Sequence, residues 1–120
     1  LFDAGHMAFA GGDNFRVIEN HHSRISHVHA KDIRKDVVDG LNRERESFLD
    51  AVIKGAFTVP GDGSLDFEAI AKSLVAKRYE GWFVIEAEQD PVVNPPLKMA
   101  RKGRAELSRV MGVVGYEVVR

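Results

Sequence analysis

The sequence predicts an α/β fold with parallel strands, of the kind that forms a TIM (β/α)8 barrel. Three short apolar segments, at residues 1–6, 25–32 and 82–88, each end in residues that can bind a metal. Helical patterns separate them, and this alternation implies parallel strands joined by right-handed crossovers. An eight-unit barrel needs about 250 residues. The 120 residues therefore hold about three β/α units, at most half of a barrel.

Each predicted strand has a polar face and an apolar face, because successive residues of a strand point to opposite sides of the sheet. The polar faces carry Asp3 in the first segment, His27, His29 and Lys31 in the second, and Glu86 and Glu88 in the third. The opposite faces, which suit packing against helices, carry Phe2, Ala4, Ser26, Val28, Ala30, Phe83, Ile85 and Ala87. Carboxylates and imidazoles that converge at the C-terminal ends of parallel strands indicate a divalent-metal site.

Two predicted helices connect these strands. Asp13 is a suitable N-cap for the first, and Phe15 and Ile18 give that helix an apolar stripe. The second is predicted over residues 66–78. Its apolar residues recur at helical spacing and are Phe67, Ile70, Ala71, Leu74 and Val75.

The charged segment at residues 32–46 is open to two interpretations. Val37, Val38 and Leu41 could belong to a helical turn or to a lid-like loop. Ser47 follows this segment and begins a capping-box pattern, which predicts a short helix.

The last predicted helix begins at Asn94-Pro95-Pro96, since proline is favoured in a first helical turn. Its inward-facing residues are predicted to be Leu97, Ala100, Leu107 and Met111. From residue 113 onward the chain could form a strand or a loose tail. The sequence thus predicts one partial domain over residues 1–120, with β/α units at 1–111 and a C-terminal tail at 112–120.

Composition narrows the classes of function. Seventeen basic and 18 acidic residues give a net charge of −1, which offers no field to attract nucleic acid or an anionic membrane. The chain has no cysteine, so a metal site must use oxygen and imidazole ligands. Such ligands suit Mn, Co, Mg or Zn. No apolar run approaches the roughly 20 residues that span a bilayer, and no signal peptide is visible, so a cytoplasmic location is predicted.

The first residue, Leu1, lies inside a predicted strand and is not an initiator methionine. This start predicts that the chain is a piece of a longer protein. The edge strands of such a piece would expose unpaired backbone N–H and C=O groups, which another segment of protein would have to cover. We therefore expect a homo-oligomer or association with the rest of the barrel.

Four motifs, in this order, resemble the xylose isomerase-like family of sugar isomerases, epimerases and dehydratases, which are built on a TIM barrel. They are residues 3–6 (DAGH), 27–32 (HVHAKD), 59–67 (VPGDGSLDF) and 81–86 (GWFVIE). The resemblance implies the C-terminal portion of the barrel. Further loops look most like those of the branch that dehydrates inososes in inositol catabolism, namely residues 9–13, 47–52, 57–63 and 86–91.

In that family one metal ion is held by Glu, Asp, His and Glu from the last four strands. The resemblance makes Asp3, His29 and Glu86 the second, third and fourth ligands, with Mn or Co as the expected ion and Mg or Zn as alternatives. The first Glu has no counterpart in this chain. On alternation alone, His27 competes with His29, and Glu88 competes with Glu86.

The resemblance also implies the remaining roles. His6 matches a substrate-binding histidine, and Glu88 is expected to bind substrate beside it. Lys31 points inward, where an ammonium must be paired or functional, so it is predicted to bind substrate or act in catalysis. Its neighbour Asp32 is one candidate for its ion-pair partner.

The implied reaction removes a proton next to the ketone of a small polyhydroxy ketone and expels a hydroxyl as water. Glu86 would take the proton, while Lys31 or His6 would protonate the departing hydroxyl. A sugar isomerase or 3-epimerase of the same family uses the same first step and is the alternative. A non-enzymatic alternative is an inactive fragment of the barrel that associates with itself.

Overall fold

The computed structural model describes residues 1–119 and contains five strands and six α-helices. The strands are β1 (Phe2–Asp3), β2 (His27–Ala30), β3 (Asp32–Ile33), β4 (Phe57–Thr58) and β5 (Trp82–Ile85). The helices are α1 (Ala4–Phe9), α2 (Asn14–His21), α3 (Lys35–Asp39), α4 (Phe48–Ile53), α5 (Phe67–Ala76) and α6 (Pro96–Val114), and a 3₁₀ turn (His22–Arg24) follows α2.

The three apolar segments form one parallel sheet in the order β1-β2-β5. Helix α2 lies between β1 and β2 along the chain, and α5 lies between β2 and β5. Asp3 is opposite His29 in the register of the first pair, and His29 is opposite Val84 in the second. The α/β fold and the parallel strands are therefore confirmed, and the chain forms part of a barrel.

The apolar face of this sheet packs against helices, as alternation predicts. Phe2, Val28 and Ala30 are almost fully buried. They share one core with residues of α2, α5 and α6, which include Ile18, Phe67, Ile70, Leu74, Leu107 and Val110. Burial of this face gives the sheet its orientation, with the polar face turned away from the helices.

The polar face of the sheet also carries apolar side chains that are exposed to solvent. Trp82 is 68% exposed and Val84 is 37% exposed, and they lie opposite His27 and His29 in the register. No strand pairs with the outer edges of β1 or β5 among residues 1–119. The inner surface of this partial barrel is consequently exposed in the described chain.

A second, antiparallel pair of strands, β3 and β4, lies just past the end of β2. Each strand has two residues, too few for a periodic pattern, so the pair was not predicted from the sequence. It contributes Ile33 and Phe57 to a small second core with Val38 and Ala51. Of the two interpretations of residues 32–46, the structure shows the helical turn, because α3 includes Val37 and Val38, while Leu41 lies after its end.

The capping residues predicted from the sequence are found at the N-termini of α2 and α4. The Asp13 carboxylate accepts hydrogen bonds from the backbone N–H groups of Phe15 and Arg16 at the start of α2. Ser47 and Asp50 form a complete capping box at the start of α4. These caps confirm the predicted helix starts.

The first segment differs from the prediction. The strand ends at Asp3 and is followed at once by helix α1, which the Asp3 side chain caps by accepting a hydrogen bond from the His6 N–H at 2.8 Å. His6 therefore lies on a helix. One aspartate acts both as strand terminus and as helix cap, and strand alternation cannot reveal that second role.

The inward face of α6 also differs in its first half. Leu97 is 65% exposed and Ala100 is exposed, whereas Leu107 and Met111 are buried as predicted. The buried stripe begins instead with Met99 and Gly103, and Gly103 has no side chain that could mark it as apolar in the sequence. Phe15 on α2 is likewise 47% exposed.

The C-terminal segment is partly helical. Helix α6 continues to Val114 and ends at Gly115, whose positive φ of 81° terminates it in the left-handed conformation. Residues 116–119 have no regular secondary structure, in agreement with a tail, and residue 120 lies outside the described residues. The division of the chain at residue 111 stays a prediction.

Two glycines of α6 should respond to alanine in opposite ways. At Gly103 a Cβ would lie 2.9 Å from both Ile85 Cγ2 and Val59 Cβ, so alanine should lower the free energy of unfolding by about 1–2 kcal/mol. Gly112 has open space around it, and alanine there should raise stability by up to about 1 kcal/mol. Urea unfolding followed by circular dichroism would measure both. Equal stability of the two variants would contradict this packing of α6 on β5.

Candidate metal centre and active site

Asp3, His29 and Glu86 converge at the C-terminal end of the parallel sheet. Each offers one ligand atom, and these atoms lie within 4.8 Å of one another. Asp3 ends β1, His29 lies opposite it on β2, and Glu86 follows directly after β5. Parallel register brings the three residues together because all three strands end at the same edge.

The distances and burial of this group suit a cation. His29 Nδ1 is 3.3 Å from Asp3 Oδ2 and 3.5 Å from Glu86 Oε2. Glu86 Oε2 is buried and lies 2.5 Å from Lys31 Nζ, and since a carboxylate oxygen has two lone pairs, this ion pair leaves one of them for a metal ion. Two carboxylates and one imidazole are a donor set for Mn, Co, Mg or Zn. The residues present therefore fit a divalent metal.

Lys31 lies beside this group and is 1% exposed. Its Nζ atom is 2.5 Å from Glu86 Oε2, 2.9 Å from Glu88 Oε2 and 3.5 Å from Asp3 Oδ2. Burial alone would lower the pKa of Lys31, but hydrogen bonds to Glu86 and Glu88 and the Asp3 charge raise it above its usual value. Lys31 is therefore an ammonium at neutral pH.

Asp32 is not the partner of Lys31. The Asp32 side chain is buried on the opposite side, where Oδ1 accepts hydrogen bonds from the backbone N–H groups of Ile33, Ser64 and Leu65. Burial raises the pKa of Asp32 despite these hydrogen bonds. Strand alternation explains the separation, since adjacent residues point to opposite faces.

His6 lies between the cluster of Asp3, His29 and Glu86 and the side chain of Glu88. Its Nδ1 atom is 2.9 Å from Asp3 Oδ2 and 3.2 Å from Lys31 Nζ, while its Nε2 atom is 3.3 Å from Glu88 Oε2. Burial tends to raise the pKa of Asp3, but the backbone and ring of His6 and the charge of Lys31 lower it overall. Asp3 is consequently a carboxylate at neutral pH.

Two alternatives from the sequence occupy different places. His27 begins β2 at the other end of the strand, where it is exposed and its ring lies 3.3 Å from Ser26 Oγ. Glu88 lies with Lys31 and His6 and does not join the converging ligand atoms. The geometry favours His29 and Glu86 as ligands, and their roles stay predictions.

Sequence reasoning missed the aromatic wall around His6. The His6 ring lies 5.1 Å from the ring of Phe57 and 5.8 Å from that of Phe48, with the latter pair stacked at 15°. The Lys31 ammonium is also 5.4 Å from the centre of the Phe57 ring. Neither phenylalanine lies near His6 in sequence, so only their match to family loops could have indicated them.

Sequence reasoning also missed a polar network behind the site, centred on Asp62. Its carboxylate accepts hydrogen bonds from Lys102, from Thr58 at 2.7 Å and from Arg34 at 2.5 Å. Burial would raise the pKa of Asp62, but these three donors outweigh it and lower the pKa to about 2.

The low pKa of Asp62 makes stability depend on acid pH. Its folded-state pKa of about 2 lies below the ordinary value of 3.8, so its stabilisation is complete above pH 4 and is lost as pH falls toward 2. Asp62→Asn should remove at most about 2 kcal/mol at pH 7 and flatten the decline between pH 4 and 2. Urea unfolding across this range would measure it against Asp36→Asn, an exposed carboxylate on α3. An equal pH slope in both variants would contradict the expectation.

No described helix combines the length and apolar character needed to cross a bilayer. A cavity of about 1130 Å³ lies against β5, α6 and the segment after Gly115, and neither Asp3 nor His29 lines it. The candidate site is instead an open, half-buried surface at the strand ends.

Comparison with known proteins gives consistent matches. The family described as xylose isomerase-like TIM barrel matches residues 1–110. An inosose dehydratase of Geobacillus thermodenitrificans is 47% identical over 94% of this chain, and one of Clostridium botulinum is 52% identical over 87%. The rhizopine catabolism protein MocC of Rhizobium meliloti is 47% identical over 98%. The chain spans 35–38% of the length of these relatives.

Proposed function

This chain belongs to the xylose isomerase-like TIM barrel family, and from this premise we propose that its protein is an inosose dehydratase, a hydro-lyase of inositol catabolism. Two of the relatives described above bear the name inosose dehydratase. The observation that carries the proposal is the convergence of Asp3, His29 and Glu86 beside a buried lysine. This arrangement offers a cation site, a base and a proton donor at one edge of the sheet.

Asp3, His29 and Glu86 would hold a divalent ion, with Mn or Co expected first and Mg or Zn as alternatives. Such an ion, when bound, acts as a Lewis acid that withdraws electron density from a substrate carbonyl. The three side chains are partly exposed, which leaves room for substrate and for a further ligand.

Glu86 is proposed as the general base. Its side chain is 33% exposed, so it can contact a substrate while it remains paired with Lys31. In the first step the C–H bond next to the ketone breaks, the proton passes to the Glu86 carboxylate, and the electron pair stays on the substrate as an enolate. The ammonium of Lys31 keeps this carboxylate oriented before the proton arrives.

Lys31 or His6 is proposed to donate a proton in the second step. The C–O bond of the β-hydroxyl breaks, its oxygen takes the proton and leaves as water, and a carbon–carbon double bond forms. Lys31 is protonated at neutral pH, because its carboxylate neighbours raise its pKa. His6 lies 3.2 Å from Lys31 Nζ and can return the proton.

His6, Lys31 and Glu88 are also proposed to bind the hydroxyl groups of a small polyhydroxy ketone. Their polar atoms lie within 3.3 Å of one another around the edge of the metal-binding group. A ring with several hydroxyls needs both donors and acceptors, and this set supplies both. The phenylalanines beside His6 supply an apolar wall.

We propose two kinds of partner: a small-molecule substrate, and either the rest of the barrel or a second copy of this chain. Nucleic acid and membranes are not among the proposed partners. The exposed Trp82 and Val84 on the inner surface need an apolar cover. The rest of the barrel, or a second copy of this chain, would supply it. Sedimentation of the purified protein would distinguish a monomer from an oligomer.

We also propose a cytoplasmic location.

The decisive experiment is an assay of the complete gene product with inosose and Mn²⁺ or Co²⁺. The proposal expects loss of water and a new conjugated carbonyl absorption, abolished by a chelator and restored by the ion. Isomerisation or epimerisation of a ketose without water loss would instead identify the other activity of the family. Absence of any turnover would sink the enzymatic proposal.

A further inference from the structure

The segment that follows β5 carries both Glu86 and Glu88, and it is joined to the β3–β4 pair by a hydrogen bond. The side-chain Nε2 of Gln89 donates to Thr58 Oγ1 at 3.3 Å. Gln89 is the direct neighbour of Glu88, whose Oε2 atom lies 2.9 Å from Lys31 Nζ and 3.3 Å from His6 Nε2. Movement of Gln89 would therefore carry Glu88 with it.

Thr58 is completely buried, and its hydroxyl uses its full hydrogen-bonding capacity. The hydroxyl donates to Asp62 Oδ2 at 2.7 Å, because a carboxylate can only accept. Its oxygen accepts from Arg34 at 3.1 Å and from Gln89 at 3.3 Å. One donor and two acceptor positions are thus filled, so the hydroxyl has a single orientation.

Asp62 and Arg34 hold this hydroxyl in place. Arg34 is itself anchored, since its guanidinium donates to the carbonyl oxygen of Gly55 at 2.7 Å and to Asp62 at 2.5 Å. Asp62 is further bound by Lys102 from α6. The network therefore connects the β3–β4 pair, the turn after β4, the last helix and the segment after β5.

We propose that Thr58, oriented by Asp62 and Arg34, is a positioning residue that holds Glu88 against Lys31 and His6 through Gln89. The consequence for catalysis rests on the proposed function of the site. Because Glu88 is assigned to substrate hydroxyls, its displacement weakens binding of substrate and transition state alike. Such a loss raises KM and leaves kcat unchanged.

Thr58→Val and Thr58→Ser in the complete gene product test this proposal. Valine keeps the shape of threonine without the hydroxyl, whereas serine keeps the hydroxyl without the methyl group. We expect Thr58→Val to raise KM for inosose about tenfold, the effect of one lost hydrogen bond, with kcat within about twofold. Thr58→Ser should restore a KM close to that of the unmodified protein. An unchanged KM in Thr58→Val, or equal losses in both variants, would overturn the proposal.

A second measurement reports on the mobility of the segment after β5 and does not depend on enzymatic activity. Amide hydrogen exchange at residues 86–92 should become about tenfold faster in Thr58→Val and should stay unchanged in Thr58→Ser. Absence of inosose turnover in the unmodified protein would reject the proposed function, and the exchange rates would still decide the role of Thr58. Unchanged exchange in Thr58→Val would overturn that role. If Thr58→Val does not fold, Gln89→Leu removes the same hydrogen bond from a partly exposed position, with the same two expectations.

Discussion

Replacing Asp3 and His29 together with alanine should abolish stoichiometric Mn²⁺ binding. The two residues supply two of the three ligand atoms that converge within 4.8 Å. Loss of a residue that only supports a ligand already weakens metal affinity by about 10–100-fold, so loss of two ligands should exceed 100-fold. The remaining Glu86 would still be paired with Lys31 at 2.5 Å and would not hold an ion alone.

Titration of the purified protein with Mn²⁺, combined with elemental analysis, measures this effect. The matched control is the double variant His21→Ala/Asp36→Ala, which removes the same two residue types from exposed positions on α2 and α3. The control should bind the ion as tightly as the unmodified protein. Retained stoichiometric binding in Asp3→Ala/His29→Ala would show that His27 or Glu88, and not the converging group, provides the ligands.

Glu86→Gln should lower kcat/KM for inosose dehydration by at least about 10³-fold. Glutamine keeps the size of the side chain but removes the negative charge that would bind the ion and accept the proton. A positioned general base contributes about 10²–10⁴-fold to a rate, and loss of a metal ligand adds to that. The fold should survive, since Lys31 keeps Glu88 and Asp3 as partners at 2.9 and 3.5 Å.

Two other glutamates sharpen the test of Glu86. Glu80→Gln, at an exposed position before β5, is the matched control and should retain full activity. Glu88→Gln should raise KM more than it lowers kcat, because Glu88 lies with the proposed substrate-binding residues. If Glu86→Gln retains most of the activity while Glu88→Gln loses it, the roles of the two carboxylates are exchanged.

The elements that the sequence predicts well depend on short-range chemistry. Asp13 and Ser47 cap their helices because the chemistry of an N-cap involves only the next few residues. The apolar faces of the strands at Phe2 and Val28 are buried because alternation is a local property of extended chain. The parallel arrangement followed from the same pattern, since alternating strands and helices leave few other topologies.

The elements that the sequence did not predict depend on contacts between distant residues. Gly103 is buried on α6 because Val59 and Ile85 approach it, and no local pattern marks such a glycine. The β3–β4 pair joins residues that are far apart in the chain, and each strand is too short to show a period. His6 lies on a helix that begins directly after Asp3, whose side chain caps it.

The sequence by itself determined the class of fold, the residue types available to a metal and the strand faces that carry them. Its lack of cysteine restricted the ligands to oxygen and imidazole, and its motifs indicated Asp3, His29 and Glu86 as a group. Only the tertiary structure decided that Lys31 pairs with Glu86 and Glu88 instead of Asp32, and that Thr58 joins the segment after β5 to Asp62. The physical reason is that periodicity assigns a side chain to a face, whereas its partner there is set by the packing and register of separate elements.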